Sequence, residues 1–172
     1  MNKSIYLIGF MAAGKSSTGK KLAAKLKVPF IDLDEAITAK AGKAITKIFE
    51  SDGEEAFRQM EHECLLETAQ SPAAVIACGG GTPCFHDNMK WMKENGTTIY
   101  LKLFPKGVLS RLKKQEITQR PLLKEAEDIE TYVQKEWEKR NPIYQEADIV
   151  IDALEVKAPQ LLTLLKDTEI ID

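Results

Sequence analysis

Gly9-Phe10-Met11-Ala12-Ala13-Gly14-Lys15-Ser16 satisfies the pattern G-x-x-x-x-G-K-[ST], and its neighbours give that pattern a structural context. Ser4 to Gly9, just before it, is nearly continuously apolar and β-favouring. Lys15 to Lys27, just after it, carries Leu22, Ala23 and Leu26 at helical spacing. A strand, a glycine loop and a helix in that order turn backbone amides toward a phosphate, and the helix N-terminus adds positive potential. The stretch therefore predicts a nucleotide-phosphate cradle built from Ala12, Ala13, Gly14, Lys15, Ser16 and Ser17. Gly14 permits close backbone approach, Lys15 reaches the terminal phosphates of ATP, and the Ser16 hydroxyl ligates Mg²⁺. An ordinary βα turn with an incidental Lys-Ser is the competing reading, and the flanking strand and helix weigh against it. The chain has no Asn-Lys-x-Asp guanine-reading motif, which disfavours a GTPase.

Outward from the loop, strand and helix patterns alternate. Pro29 to Asp32 reads as a short strand, followed by helical stretches at Glu35 to Lys40 and Ala44 to Ser51 that end near Gly42 and Gly53. The amphipathic segment Glu54 to Ala69 leads into the buried-type run Ala74 to Cys78, which stops at Gly79-Gly80-Gly81. Asn88 to Glu94 reads as helix, Thr97 to Leu103 as strand and Val108 to Lys114 as helix. After the polar stretch Gln115 to Glu127 come a helix at Ile129 to Lys139, a strand at Ile149 to Ile151 and a closing helix from Ala158 to Leu165. Parallel strands need helical crossovers, so this alternation predicts an α/β fold with a parallel sheet between helices, in a single domain covering 1–172.

Composition narrows the function classes. At 44% hydrophobic and 29% charged residues, the chain has no apolar run near the roughly 20 residues that span a bilayer, so no membrane partner is expected. The opening MNKSIYLIGF lacks the features of a secretory signal. A net charge of −2 supplies no overall basic field for nucleic acid. Cys64, Cys78 and Cys84 form no CxxC pair, and only His62 and His86 are present to join them around a metal. Buried, reduced thiols and a cytoplasmic location are the expectation, with Cys78 as inert packing.

Asp32 and Asp34 close the second strand, at the carboxyl edge where a parallel sheet collects its ligands. At a spacing of two, both carboxylates can face one side. One can hold a magnesium-bound water while the other accepts a proton from a substrate hydroxyl. The alternative is that Asp34 caps the helix that follows it.

The phosphate loop, Asp32-Leu33-Asp34, Phe57-Arg58 with Glu61, Gly79-Gly80-Gly81, Arg120-Pro121-Leu122-Leu123 and Arg140-Asn141-Pro142-x-Tyr144 follow one another in this order. Together they make the chain resemble the shikimate kinases over about Ile5 to Asp152. The resemblance implies a P-loop NTPase fold of the nucleoside-monophosphate-kinase type, with five parallel strands in the order 2-3-1-4-5 flanked by helices. It also implies ATP-dependent phosphorylation of the 3-hydroxyl of shikimate, a step toward chorismate and the aromatic amino acids; a monomer is expected. By position, Asp34, Arg58, Gly80 and Arg140 match shikimate-binding residues, with Gly79 and Gly81 beside them. Asp32 matches the ligand of a magnesium-bound water, and Arg120 the lid arginine that closes on ATP. Lys15, Asp34 and Arg120 are then the catalytic set. Residues 33–60 correspond approximately to the substrate-binding region and 115–127 to the lid. The family also uses an arginine ahead of the lid against adenine, for which Arg111 is the local candidate.

Physical chemistry agrees with the transfer. Two guanidiniums suit the carboxylate of shikimate, an aspartate suits its hydroxyls, and a polar lid excludes water that competes for the γ-phosphoryl group. Phe49 and Phe57 are expected to pack near the substrate pocket. Two positions depart from the family: Ala12 where glycine is frequent, and Cys78 before the triple glycine. Ala12 is expected to take an ordinary right-handed or extended backbone. Another small-molecule P-loop kinase, acting on gluconate or a nucleotide, and a nonenzymatic nucleotide-binding scaffold remain the competing functions.

Overall fold

In a computed structural model of the chain, the described residues are 3–112, 128–155 and 158–167. Five strands form one sheet: β1 (Ser4–Ile8), β2 (Phe30–Asp32), β3 (Val75–Ala77), β4 (Gly96–Lys102) and β5 (Ile149–Asp152). Every neighbouring pair is parallel, and the order is β2-β3-β1-β4-β5, as the family resemblance implied. The apolar run of β1 is the central strand, buried along its whole length, because it is paired on both edges and covered on both faces. At the sheet edge, β5 alternates between half-buried and exposed residues, and Val150 faces out.

The helices are α1 (Lys15–Leu26), α2 (Leu33–Ala41), α3 (Ile45–Glu67), α4 (Asn88–Asn95), α5 (Pro105–Arg111), α6 (Ile129–Tyr144) and α7 (Ala158–Asp167). One-turn 3₁₀ segments at Thr68–Gln70 and Thr82–Cys84 interrupt the connections on either side of β3. Helix α1 packs on β3 and against α7, while α5 packs against α6.

Several boundaries differ from the sequence pattern for local reasons. Helix α2 starts at Leu33 rather than Glu35, because Asp32 is its cap and accepts the Asp34 amide at 3.1 Å. The helices expected at Ala44 to Ser51 and Glu54 to Ala69 run end to end as α3, and the break between them stands where the sequence put it, at Gly53, whose φ 84° and ψ 174° are non-helical. Helix α5 begins at Pro105, which suits a first turn, and so lies earlier than Val108 to Lys114. Helix α6 continues past Lys139 through Pro142, whose missing N–H falls in the last turn and deletes only one ladder bond. That extension places Arg140 on a helix. The lid expected at 115–127, with Arg120, lies outside the described residues.

Gly9 leaves β1 with φ 143°, and a Cβ there would sit 2.6 Å from the Leu101 carbonyl oxygen. Backbone strain and a backbone clash then add, so Gly9→Ala is expected to cost about 3 kcal/mol or more. The check is the urea midpoint, which should fall at unchanged slope.

Candidate active site

The loops leaving the carboxyl ends of β1, β2 and β3 line one cavity of ≈ 280 Å³. Its walls include Ala12, Gly14, Lys15, Ser16 and Ser17 from the phosphate loop, Asp32 and Asp34 from β2–α2, and Gly79 and Gly80 after β3. The nucleotide and magnesium candidates are thereby brought together with Asp34.

Within the loop, Lys15 Nζ donates to the carbonyls of Gly9 and Phe10 at 2.8 and 3.0 Å. Gly14 is left-handed, at φ 88°, and opens α1. Ala12 is also left-handed, at φ 59°, which corrects the expectation of an ordinary backbone. The loop has to turn there to bring its amides inward, and an alanine meets that requirement at a steric cost of about 1 kcal/mol. The Ser16 hydroxyl donates to Asp32 Oδ2 at 2.6 Å. A hydroxyl that donates to a carboxylate turns its lone pairs elsewhere, so the pair fits a magnesium ion ligated by Ser16 with Asp32 holding one of its waters. Among the described residues no three His, Cys, Asp or Glu side chains form a metal cluster, so such an ion would take its remaining ligands from phosphate and water. Arg111 lines the same cavity and donates to the carbonyls of Ala12 and Ala153 at 3.2 and 3.3 Å.

Because Asp32 caps α2, Asp34 occupies the first helical turn and its carboxylate lines the cavity, so Asp34 is not the N-cap. Beyond it lies a buried ion pair. Arg58 Nη1 donates to Glu61 Oε2 at 2.8 Å, with Arg58 6% and Glu61 1% exposed. Arg58 Nε and Nη2 also reach Glu54 Oε1 at 3.3 and 3.2 Å, and its guanidinium lies 4.3 Å from the Phe85 ring centroid. Burial pushes the Glu61 carboxyl above its ordinary range, against the pull of Arg58 and of the Thr82 hydroxyl, which donates to Oε1 at 2.6 Å. Glu61 was legible in the motif only as a companion of Arg58. The i,i+3 spacing on one helix was the signal that the two would pair.

The triple glycine does more than expose amides. A Cβ on Gly79 would lie 2.8 Å from Glu61 Oε1 and 3.1 Å from Asp34 Oδ1, and one on Gly81 would lie 2.6 Å from Arg58 Nη2. Both positions need hydrogen because charged side chains close on them. Gly80 is roomier: its Cβ would be 3.6 Å from Arg140 Nη1. Arg140 is paired with Glu136, four residues earlier, at 2.6 Å. Tyr144, from the same motif, donates its hydroxyl to the Gly80 carbonyl, and burial raises its pKa so that the proton stays in place. Arg58 and Arg140 do not line the cavity itself. They stand behind Gly81 and beside Gly80.

The rings of Phe49 and Phe57 meet at 4.7 Å between centroids, tilted by 39°, as packing residues should. The Cys78 thiol is buried against Met92 at 3.7 Å, and burial raises its pKa; the same cause lifts Cys84 to about 11. Neither is an activated nucleophile.

A family model described as "Shikimate kinase" matches residues 11–168. A shikimate kinase of Parabacteroides distasonis is 43% identical over 153 residues, covering 88% of this chain and 88% of its own length. One from Bacillus anthracis is 41% identical over 165 residues, covering 96% and 97%. Among solved structures, the shikimate kinase of Bacteroides thetaiotaomicron superposes with TM-score 0.86 at 38% identity, over 95% of this chain and 98% of its own. That of Acinetobacter baumannii in complex with shikimate gives TM-score 0.89 at 33% identity, over 98% and 96%. A deoxyadenosine kinase from M. mycoides shares the fold at TM-score 0.56 and 18% identity.

Two substitutions test this geometry. Ala12→Gly relieves the left-handed alanine and adds unfolded-state entropy, so Tm is expected to hold within about 2 °C, whereas a right-handed alanine would lose more. Gly81→Ala forces the Arg58 guanidinium aside, and the KM for an acidic acceptor should rise about tenfold while that for ATP stays level, as initial-rate assays will show.

Proposed function

This chain belongs to the shikimate kinase family, and from that membership we propose that it transfers the γ-phosphoryl group of ATP to the 3-hydroxyl of shikimate, releasing shikimate 3-phosphate and ADP. It is a kinase with ATP as co-substrate, acting in the route to chorismate and the aromatic amino acids. The observation that carries the reading is the single cavity joining the phosphate loop to Asp34, Gly79 and Gly80. Donor and acceptor would meet there.

In the proposed arrangement, the amides of Ala12 to Ser17 hold the β- and γ-phosphates, and Lys15 exchanges its loop carbonyls for phosphate oxygens. Ser16 and, through a water, Asp32 would hold Mg²⁺, which when bound would neutralise phosphate charge. Arg58 and Arg140 hold the shikimate carboxylate beside Gly80 and Gly81, which turns the ring so that its hydroxyls approach Asp34. Asp34 orients the 3-hydroxyl and accepts its proton as the bond to phosphorus forms. Arg120, within the lid 115–127, closes on the transferring phosphoryl group, and residues 33–60 form the approximate substrate-binding region. Arg111, held between the phosphate loop and the segment after β5, would lie against the adenine. The proposal has the enzyme acting as a cytoplasmic monomer, without nucleic acid or membrane. A net charge of −2 favours the first exclusion, and among the described residues no helix is long and apolar enough to cross a membrane.

The test is ADP release with shikimate, gluconate and nucleoside monophosphates as acceptors. Turnover on shikimate is expected, and turnover on another acceptor with none on shikimate would reject the substrate assignment. Asp34→Asn should lower kcat by about 10² to 10⁴-fold with ATP affinity retained. Near-normal turnover would remove Asp34 from the chemistry.

A further inference from the structure

Behind the acceptor end of the cavity, a line of buried polar groups runs from α3 into the segment that follows the triple glycine and back again. Thr82 donates its hydroxyl to Glu61 Oε1 at 2.6 Å, and its carbonyl accepts from Asn88 Nδ2 at 2.8 Å. Asn88 Oδ1 then meets His62 Nδ1 at 2.6 Å. Thr82 and Asn88 are both fully buried, at 0% exposure. Because the Asn88 amide nitrogen is committed to the Thr82 carbonyl, its oxygen must be the acceptor toward His62, which fixes the hydrogen of that ring on Nδ1. His62 lies one residue beyond Glu61 on α3, so the line closes into a loop: α3, Thr82, Asn88 and α3 again.

The backbone before Asn88 is strained in a way that serves this closure. His86 and Asp87 are consecutive non-glycine residues with φ 51° and 54°. Two left-handed residues in succession persist only where their surroundings over-determine them. Here they turn the chain so that α4 begins with Asn88 against Thr82. The same segment carries Phe85, whose ring lies under the Arg58 guanidinium at 4.3 Å.

We propose that Thr82 and Asn88, locked by His62, are positioning residues for the acceptor site: they hold Glu61, and through Glu61 they hold Arg58 in the orientation that receives the acceptor carboxylate. The proposal rests on the reading of this chain as a shikimate kinase. Its physical basis is that Glu61 is a buried carboxylate whose two oxygens have separate duties, Oε2 toward Arg58 and Oε1 toward Thr82. Removing the Thr82 hydroxyl leaves Oε1 desolvated without that donor, and the carboxyl must then rotate or take up a proton. Either response releases Arg58 Nη1. An Asn88→Asp change sets an oxygen against the Thr82 carbonyl and pushes the same segment away from Glu61.

Steady-state kinetics of Thr82→Val, Thr82→Ser, Asn88→Asp, Glu61→Gln and the Thr82→Val/Glu61→Gln double variant test the proposal, with thermal midpoints read alongside. Thr82→Val and Asn88→Asp are each expected to raise the KM for shikimate about tenfold and leave the KM for ATP within about twofold. Thr82→Ser, which keeps the hydroxyl, should return the shikimate KM to within about threefold of wild type. The double variant should be no worse than Glu61→Gln alone, because Thr82 acts through Glu61. The proposal is overturned if Thr82→Val leaves the shikimate KM unmoved, if both KM values rise in parallel with a fall in Tm, or if the double variant is additive. Should Thr82→Val fail to fold, Asn88→Asp decides on the same KM split. Wild-type ADP release with shikimate is the control that separates the two readings. Its absence defeats the kinase assignment, whereas wild-type turnover with unmoved variants defeats only the positioning role.

Discussion

In the register of the sheet, Asp32 stands beside Ala77 and Ala77 beside Leu7, so the loops that leave β2, β3 and β1 start from one level. Parallel pairing makes this possible, since it aligns carboxyl ends that an antiparallel neighbour would send the opposite way. From that shared level the β1 loop bends over α1, the β2 end caps α2 through Asp32, and the β3 end runs into three glycines. A slip of one residue in β2 would turn Asp32 to the opposite face and separate its carboxylate from Ser16. Sheet register, set by apolar burial far from any ligand, is thus what assembles the polar site.

The two halves of that site are stabilised differently. Among the described residues, no buried side-chain nitrogen or oxygen lacks a hydrogen-bond partner. For Arg58 and Glu61 this satisfaction does not amount to comfort. Burying an ion pair costs desolvation that its Coulomb energy recovers only in part, and the upward displacement of the Glu61 carboxyl records the shortfall. The sign follows: a carboxyl whose folded pKa is raised favours the fold most below its unfolded pKa and loses that contribution as pH rises through the folded value. Glu61 therefore burdens folding in its ionised form. What it supplies in return is direction, since Arg58 is held by Glu61, by Glu54 and by the face of Phe85.

How much of this the sequence showed depends on the range of each interaction. The phosphate loop was legible because strand, glycine loop and helix are contiguous, and the alternation of apolar runs carried the parallel sheet. The strand order and the acceptor residues came from the ordered motifs of a family. Backbone conformation at Ala12 was not legible, because an alanine does not announce a left-handed turn that the loop imposes on it. The break at Gly53 was legible, because a glycine between two amphipathic stretches marks the point where the chain leaves helical geometry, at φ 84° and ψ 174°. Thr82, Asn88 and His62 looked like ordinary polar residues. Their meaning lies in contacts across 21 and 26 positions, which neither periodicity nor spacing expresses.

The donor and acceptor halves also differ in what a ligand must displace. Lys15 rests on two carbonyls of its own loop, so an arriving phosphate exchanges one set of oxygens for another and gains only the difference between them. That suits a co-substrate held through many backbone amides, where no single contact has to be decisive. In the proposed acceptor site Arg58 would differ, because Glu61 is buried and the guanidinium would keep it as a partner while binding an anion. An acceptor would then have to fit the fork as it already lies. On that reading a wrong acid could not recruit a rotated Arg58 without breaking a buried charge pair, so discrimination would fall on the acceptor end, where the geometry is fixed, and not on the phosphate loop, where it is exchangeable.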